Sequence, residues 1–314
     1  MTGTQQDRPL VTFALFAFNQ EKYIHAAVEG ALAQTYEPLE IILSDDCSTD
    51  RTFEIMQEMV ANYDGPHRLV LRRNSPNLGL IEHVNLVFGI ASAEYIVAAA
   101  GDDVSVPHRV EKLFSCFEEM PLLIHSDCAC MDERGRSLPY GKPKTDIEDR
   151  NLLDICRSRA LYLGATGAWH KDLVRMFGPI TQLDTYEDLV LGYRAALAGR
   201  VAYVDEALVR YRVGTGTTSE EPEQHLRRAK AIQVRKAALG SLRQRKSDTL
   251  KHAPDRHDLL RLIERQICVE SAVIQFRTDM KSFILHYSYR WPVVSYLARA
   301  ATGRMMRAVS LSQR

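Results

Sequence analysis

Short apolar runs alternate with longer stretches of helical periodicity through the first half of the chain. Residues 10–18, Leu-Val-Thr-Phe-Ala-Leu-Phe-Ala-Phe, predict a buried strand, 21–34 a helix, 39–43 a second strand and 51–62 a second helix. The pattern then repeats as a strand at 68–71, a helix at 79–91, a strand at 94–99 and a helix at 107–119. Pro107 falls in the first turn of that last helix, where its missing N–H has no intrahelical partner to lose. Parallel strands need crossover connections, so this order predicts βαβ units: an α/β fold with a mostly parallel sheet flanked by helices. Residues 121–150 read as irregular, with turn residues at 132–135 and Pro139, Gly141 and Pro143 close by. A helix at 186–198 and a strand at 201–204 follow, and the Gly/Thr/Ser-rich stretch 214–219 reads as a mobile loop. Beyond it, 222–247, 256–282 and 291–308 show helical periodicity, which predicts a C-terminal helical appendage.

In open α/β sheets ligands gather beyond the carboxyl ends of the strands, which directs attention to loops 44–50 and 100–106. Each carries adjacent aspartates, Asp45-Asp46 in one and Asp102-Asp103 in the other. Two carboxylates on a strand-to-loop turn suit a hard divalent cation such as Mg²⁺, which is held by one or two carboxylates together with phosphate oxygens and water. The competing reading of Asp102-Asp103 is a solvated loop capping the next helix. Asp45-Asp46 reads either as a turn before a helix capped by Asp50 or as acceptors for a base or ribose. A third pair, Glu187-Asp188, opens the helix at 186–198, where the macrodipole favours carboxylates and where one of them could serve as a general base.

Three further features carry candidate chemistry. The small residues of Gly164-Ala-Thr-Gly-Ala-Trp169 fit either an acceptor-side wall on which Trp169 stacks a sugar or close backbone packing beside a buried Trp. Arg212 fits a phosphate clamp or a surface ion pair. His25, His83 and His108 show no mutual ligand spacing and read as ordinary surface or core histidines.

Composition adds one refinement. The 314 residues hold 40 basic and 40 acidic side chains, with 46% hydrophobic and 25% charged residues, which excludes disordered, collagen-like and low-complexity classes. The neutral total divides unevenly: 1–219 holds 21 basic and 31 acidic residues, a net −10, while 220–314 holds 19 and 9, a net +10. A boundary near 219 follows, between an α/β domain over 1–219 and a basic helical region over 220–314. That basic region could be solvated, pack on the first domain or across a homodimer, or lie on an anionic membrane through Trp291, Tyr296, Leu297, Met305 and Met306 interleaved with Arg299, Arg304 and Arg307. Its charge comes with no nucleic-acid-binding motif, so no nucleic acid partner is expected. Six cysteines form no metal-ligand pair, residues 1–10 lack a basic then apolar pattern, and no apolar run approaches ~20 residues. These features predict a cytoplasmic protein, with peripheral membrane association as the variant.

The ordered set of motifs resembles the family-2 glycosyltransferases over roughly residues 9–219. It comprises Phe18-Asn19-Gln-Glu-Lys-Tyr-Ile24, Ala33-Gln-Thr-Tyr36, Glu40 through Asp50, Asn77-Leu-Gly79 with Asn85, Gly101-Asp-Asp103 with Pro107-His-Arg109, Gly164 through Trp169, Phe177-Gly-Pro179, Tyr186-Glu-Asp188 and Tyr211-Arg-Val-Gly214. The resemblance implies the GT-A fold, a Rossmann-like sheet that binds a nucleotide-diphospho-sugar of the UDP, GDP or dTDP type. It implies Phe18 and Asn19 beside the base pocket, Asp46 on the base, with Asp45, Asn77 and Arg212 also on the nucleotide-sugar side. Asp102 and Asp103 would bind ribose and a divalent metal, Mg²⁺ or Mn²⁺. Asp188, paired with Glu187, would be the catalytic base of an inverting single displacement onto the hydroxyl of a glycan, lipid-linked or protein acceptor.

The chain departs from the family pattern at Ala100, where many members have an acid, at Phe16-Ala17, which replaces Pro-Thr, and at Gly214, near which many members have a His. Tyr287-Ser-Tyr-Arg-Trp291 lacks the Gln of the element found in processive synthases, so transfer of one sugar is expected. A nucleotidyltransferase would carry a Gly-rich loop after its first strand, and Asn19-Gln-Glu-Lys22 has no glycine. The rival outside enzymes is a non-catalytic nucleotide-sugar-binding or scaffold protein derived from such a transferase.

Overall fold

The computed structural model describes residues 8–115, 121–139, 147, 150–215 and 224–279. Among these, eight strands form one sheet in the order β3-β2-β1-β4-β7-β6-β8-β5. The strands are β1 (Val11–Ala17), β2 (Leu39–Asp45), β3 (Arg68–Arg73), β4 (Tyr95–Ala100), β5 (Val104–Ser105), β6 (Leu123–Met131), β7 (Gly167–His170) and β8 (Val201–Arg212). The helices are α1 (Ile24–Leu32), α2 (Thr52–Ala61), α3 (Leu80–Ile90), α4 (Arg109–Ser115), α5 (Leu152–Arg157), α6 (Asp172–Phe177), α7 (Glu187–Leu197), α8 (Gln224–His252) and α9 (His257–Thr278).

β1 to β4 pair in parallel, as the alternating pattern predicts. β1 is buried along nearly its whole length because helices cover both faces, and its side chains divide between two cores. Phe13, Leu15 and Ala17 join Ile24, Val28, Ile41 and Leu43 on one face; Ala14 joins Ile42, Val84, Ile96 and Trp169 on the other. β7 runs antiparallel to both β4 and β6, and β6 is parallel to β8. Two reversals restore the direction, so the carboxyl ends of β1, β2, β4, β6 and β8 all emerge at one edge of the sheet.

The expected irregular stretch at 121–150 is corrected by β6, a strand of nine residues inside the sheet. Its buried His125 and Ser126 break the apolar alternation that marks a strand, and its register against β8 shifts at Ser126 and Asp127. The Asp127 carboxylate accepts the Cys128 N–H at 2.8 Å there. β8 extends well past the expected 201–204 because it pairs with β6 from Val201 to Arg212, with β5 on its other side at Val209 and Arg210.

α8 and α9 confirm two of the three C-terminal helical stretches; 291–308 lies outside the described residues, as does 216–219 of the Gly/Thr/Ser-rich loop. Both helices share a core with the sheet, through Leu242, Leu259 and Ile263 beside Leu189, Leu191 and Trp169. Arg245, fully buried on α8, donates to the carbonyl of Leu189 at 3.0 and 3.3 Å and to those of Cys156 and Ser158 at 3.1 Å. Arg194 of α7 pairs with Asp248 of α8 at 2.8 Å, with both side chains buried. These contacts fasten the acidic start of α7 to the C-terminal helices. Among the described residues no helix is long and apolar enough to cross a membrane.

α8 can approach this closely because residue 240 is glycine. A Cβ there would stand 2.2 Å from the Asp184 carbonyl oxygen, a main-chain atom that no side-chain rotation can move. Gly240→Ala gains about 1 kcal/mol of helix propensity, but overpacking costs about 1–3 kcal/mol and here meets backbone. The expected outcome is a lower melting temperature for Gly240→Ala; a rise would contradict this packing.

Candidate active site

Three loops at the carboxyl edge are laced together by their own polar side chains. Asn19 and Cys47 take left-handed backbone conformations, with φ of 52° and 62°. The Asn19 N–H donates to Ser48 Oγ at 2.9 Å and its side-chain oxygen accepts the Thr49 N–H at 2.8 Å. Asp45 is wholly buried; its carboxylate accepts the Ser48 N–H at 2.9 Å and the Ser48 hydroxyl, with Arg73 Nε 3.4 Å away. Asp46 accepts the N–H groups of Leu78 and Gly79 at 2.8 and 2.9 Å and the Asn74 amide at 2.7 Å. Asn77 closes the lacing by donating to the Asp46 carbonyl at 2.7 Å.

Asp45, Asp46, Asn19 and Asn77 therefore stand together, as their motifs suggest, and they bond to one another's loops. Both Asp46 oxygens are engaged in holding the loop that enters α3. Phe18, next to them, is 48% exposed, an unusual position for a large apolar ring. A polar cluster behind this shelf carried no sequence signal: Arg72 donates to Ser44 Oγ at 2.5 Å, and that hydroxyl lies 2.5 Å from His83 Nε2. Burial holds His83 down to about 4, so the imidazole is neutral.

The turn after β4 brings in the second acidic pair. Asp102 and Asp103 are both buried, at 7% and 5% exposure. Asp103 Oδ1 accepts the Arg212 N–H at 2.7 Å, and Asp102 Oδ2 accepts the Thr215 hydroxyl at 3.0 Å. Burial raises the Asp102 carboxyl above its ordinary range, against the hydrogen bond from Thr215. Arg109, fully buried behind this turn, donates to Ser105 Oγ at 2.9 Å and to the Ala98 carbonyl at 2.8 Å. Burial lowers its guanidinium to about 9, and the charge of Asp103 works in the opposite direction.

Arg212 is corrected from phosphate clamp to brace. Its Nε donates to the Asp102 carbonyl at 2.9 Å and its Nη1 to the carbonyls of Asp132 and Glu133 at 3.0 and 2.9 Å. The guanidinium lies 4.6 Å from the centre of the Tyr23 ring, and the side chain is 5% exposed. Three of the five guanidinium N–H groups are thus held by main-chain oxygens, which join the ends of β4, β6 and β8. Tyr23 lies within the Phe18–Ile24 motif and Thr215 within the Gly/Thr/Ser-rich stretch, but nothing in the sequence marks either as a site residue.

Glu187 and Asp188 begin α7 at the same edge. β7 runs antiparallel to β4 with Val97 opposite Ala168, so the 3-10 turn Gly164–Thr166 before β7 lies alongside the last residues of β4. Glu187 packs into that turn; a Cβ on Gly164 would stand 2.2 Å from Glu187 Oε1. Burial, together with the charge of Asp188, pushes Glu187 up to about 8. Tyr162 is pushed well above its ordinary value by burial, and then by the charges of Glu187 and Asp188.

Trp169 is corrected from acceptor wall to core. It is 1% exposed, stacks on Phe88 with ring centres 5.5 Å apart, and donates its indole N–H to Tyr162 Oη at 2.8 Å. A ring enclosed in this way offers no face to a sugar.

Among the described residues no group of three or more His, Cys, Asp or Glu is placed to hold a metal ion. Asp102 and Asp103 are adjacent buried carboxyls on one turn, and burial raises Asp102 although the Thr215 hydrogen bond and the charge of Arg212 oppose it. That donor set fits a divalent cation whose remaining ligands are diphosphate oxygens and water.

Residues 12–162 match a family model described as Glycosyl transferase family 2. An uncharacterized glycosyltransferase of Haemophilus influenzae is 28% identical over 228 residues, covering 67% of this chain and 68% of its own. The putative glycosyltransferase EpsE of Bacillus subtilis is 34% identical over 111 residues, 35% of this chain and 39% of its own. Among solved structures, S. aureus TarS 1-349 in complex with UDP-GlcNAc superposes with a TM-score of 0.60 at 15% identity, over 95% of this chain and 92% of that one. The mannosyltransferase PcManGT from Pyrobaculum calidifontis, in complex with GDP-Man and Mn²⁺, gives 0.55 at 15% identity over 96% and 82%. With its motifs in order along one sheet edge, the chain is similar to glycosyl transferase family 2 over residues 12–162 and shares the GT-A fold of these solved structures.

Proposed function

We propose that the protein transfers one sugar from a nucleotide-diphospho-sugar to an acceptor hydroxyl, with inversion at the anomeric carbon and with Asp188 as the base. The observation that carries this reading is the meeting of Asp102-Asp103 with Glu187-Asp188 at one edge, with Glu187 holding its proton up to about pH 8. Two neighbouring part-buried carboxyls resist ionising together. With the proton on Glu187, Asp188 would carry the pair's charge and could accept a proton from a hydroxyl.

The donor side follows from the shelf. Phe18 presents an exposed ring for a nucleotide base, above loops fixed by Asn19, Asp45, Asp46 and Asn77. Asp102 and Asp103 would hold a Mg²⁺ or Mn²⁺ ion, which neutralises the diphosphate when bound. In the reaction the acceptor oxygen forms a bond to the anomeric carbon while the bond to the diphosphate oxygen breaks. The electron pair leaves on the diphosphate, and the hydroxyl proton goes to Asp188. Tyr162 and the Gly164 turn seat the Glu187-Asp188 pair and keep water from one side of it. The complexes of TarS with UDP-GlcNAc and of PcManGT with GDP-Man and Mn²⁺ support a nucleotide-sugar donor and a divalent ion for this chain also. The acceptor class is a glycan, lipid-linked or protein hydroxyl.

Thermal stabilisation by UDP, GDP and dTDP selects the donor nucleotide, because a ligand that binds only the folded state raises its stability. With that donor, Asp188→Asn keeps the shape and loses the basicity. It is expected to lower kcat by about 10²–10⁴-fold with nucleotide binding retained; unchanged turnover would remove Asp188 from the role and favour a binding or scaffold protein. The Glu187 carboxyl makes a separate prediction. Its folded value, about 8, lies above the ordinary 4.5, so between these pH values the folded state binds more protons and loses stability as pH rises. Glu187→Gln should therefore melt higher than the parent at pH 8, by a margin that shrinks towards pH 4.5. A margin that stays constant with pH would contradict the part-buried, proton-holding pair.

A further inference from the structure

A cavity of about 650 Å³ lies away from the Asp102-Asp103 turn, walled by α5 and the residues after it, α7, α8 and α9. Its interior is largely apolar, with Leu189, Leu242, Leu262 and Val269 contributing side chains. Two buried polar atoms in its lining, Ser241 Oγ and Gln266 Oε1, have no hydrogen-bond partner. Ser241 is 1% exposed, so solvent at the surface does not serve it. Buried polar groups of this kind are rare in folded proteins unless a bound molecule completes them.

The charge of the lining is one-sided. Arg157, Arg159, Arg245 and Arg265 face a single acid, Glu270. Glu270 is already neutralised, by Arg159 and by Arg235 at 2.8 Å. Arg245 is committed to main-chain carbonyls and Arg157 pairs with Asp154 at 3.1 Å, while Arg265 makes no ion pair among the described residues. The cavity thus combines an apolar floor, unmet hydrogen-bonding groups and an arginine of unbalanced charge at its exposed rim.

We propose that this cavity binds an anionic amphiphile, with a phosphate or carboxylate group against Arg265 and an alkyl body over Leu242, Leu262 and Val269. A guanidinium binds such anions through paired N–H donors, and a partly open pocket of this size with an apolar floor takes up an alkyl chain. The Ser241 hydroxyl donates to the polar end, and Gln266 Oε1, an acceptor, takes a hydrogen bond from a protonated phosphate oxygen. The site shares α7 with the acidic edge: Leu189 lines the cavity, and its carbonyl is held by Arg245. A ligand here therefore touches the helix that begins with Glu187 and Asp188.

Cys268 also lines the cavity and gives a local reporter, while Cys47 on the β2 loop serves as the internal control. The probe is decyl phosphate below its critical micelle concentration, with inorganic phosphate and decyl maltoside as the anion-only and alkyl-only arms. Calorimetry on the full chain should show one decyl phosphate bound per molecule, and alkylation of Cys268, read by peptide mass spectrometry, should slow while that of Cys47 does not. Arg265→Ala, a change at an exposed position, should weaken binding by about tenfold without shifting the melting temperature. Equal binding of decyl maltoside would overturn the anionic assignment, and equal binding of inorganic phosphate would overturn the apolar one. Unprotected Cys268, or undiminished binding by Arg265→Ala, would overturn the site itself.

Discussion

Carboxylates withdrawn from water must be matched by protons, N–H groups or cations, and that electrostatic requirement organises the whole carboxyl edge of this sheet. Each acid meets it differently. Asp46 is matched by two main-chain N–H groups and an amide, Asp45 by Ser48 and Arg73, and Glu187 by keeping its proton up to about pH 8. Asp103 receives the Arg212 N–H, with Arg109 behind it. Asp102 is raised by burial although the Thr215 hydroxyl and the charge of Arg212 oppose that rise. Parallel strand direction makes the arrangement possible, since only strands that run the same way deliver their loops to one edge.

The opposite charges of the two halves acquire a structural meaning here. One basic residue of α8, Arg245, reaches into the first region and holds the helix that carries Glu187 and Asp188, whereas the Arg194–Asp248 pair has its acid on α8. Arg245 grips the Leu189 carbonyl, and Asp248 accepts from Arg194. Tyr193 Oη and Thr249 Oγ1 lie 2.5 Å apart. Buried ion pairs of the Arg194–Asp248 kind add little net stability, because the desolvation of both charges offsets their attraction. Removing one partner is costly, however, so such a pair fixes the position of α7 against α8. The cavity among these helices is a consequence of the same arrangement: Arg245, which braces α7, also lines its wall.

Much of this was legible in the chain because the first four strands are apolar runs of ordinary length, and because paired acids at strand ends have few structural explanations in common. Other parts were illegible for identifiable reasons. β6 hides because His125, Ser126 and Asp127 interrupt its apolar pattern, and β7 is only four residues long. The role of Trp169 turns on whether its ring is enclosed, which depends on Phe88 and Tyr162 being brought in by other elements. Arg212 looks like an anion clamp until the carbonyls of Asp102, Asp132 and Glu133, contributed by two separate turns, surround it. Asp46 likewise looks available for a base until the loop at 74–79 folds over it. Local spacing identifies which residues carry charge, but long-range contacts decide which of those charges are already satisfied.

The cation proposed at Asp102 and Asp103 would be held with the help of a nucleoside diphosphate. Calorimetric titration of UDP and of GDP into the protein, with and without Mn²⁺, tests this when repeated on Asp103→Ala. The expected result is that one nucleotide binds tightly only with Mn²⁺ present and that the substitution abolishes the dependence. Equal affinity with and without the ion, or a full Mn²⁺ dependence retained by Asp103→Ala, would contradict it.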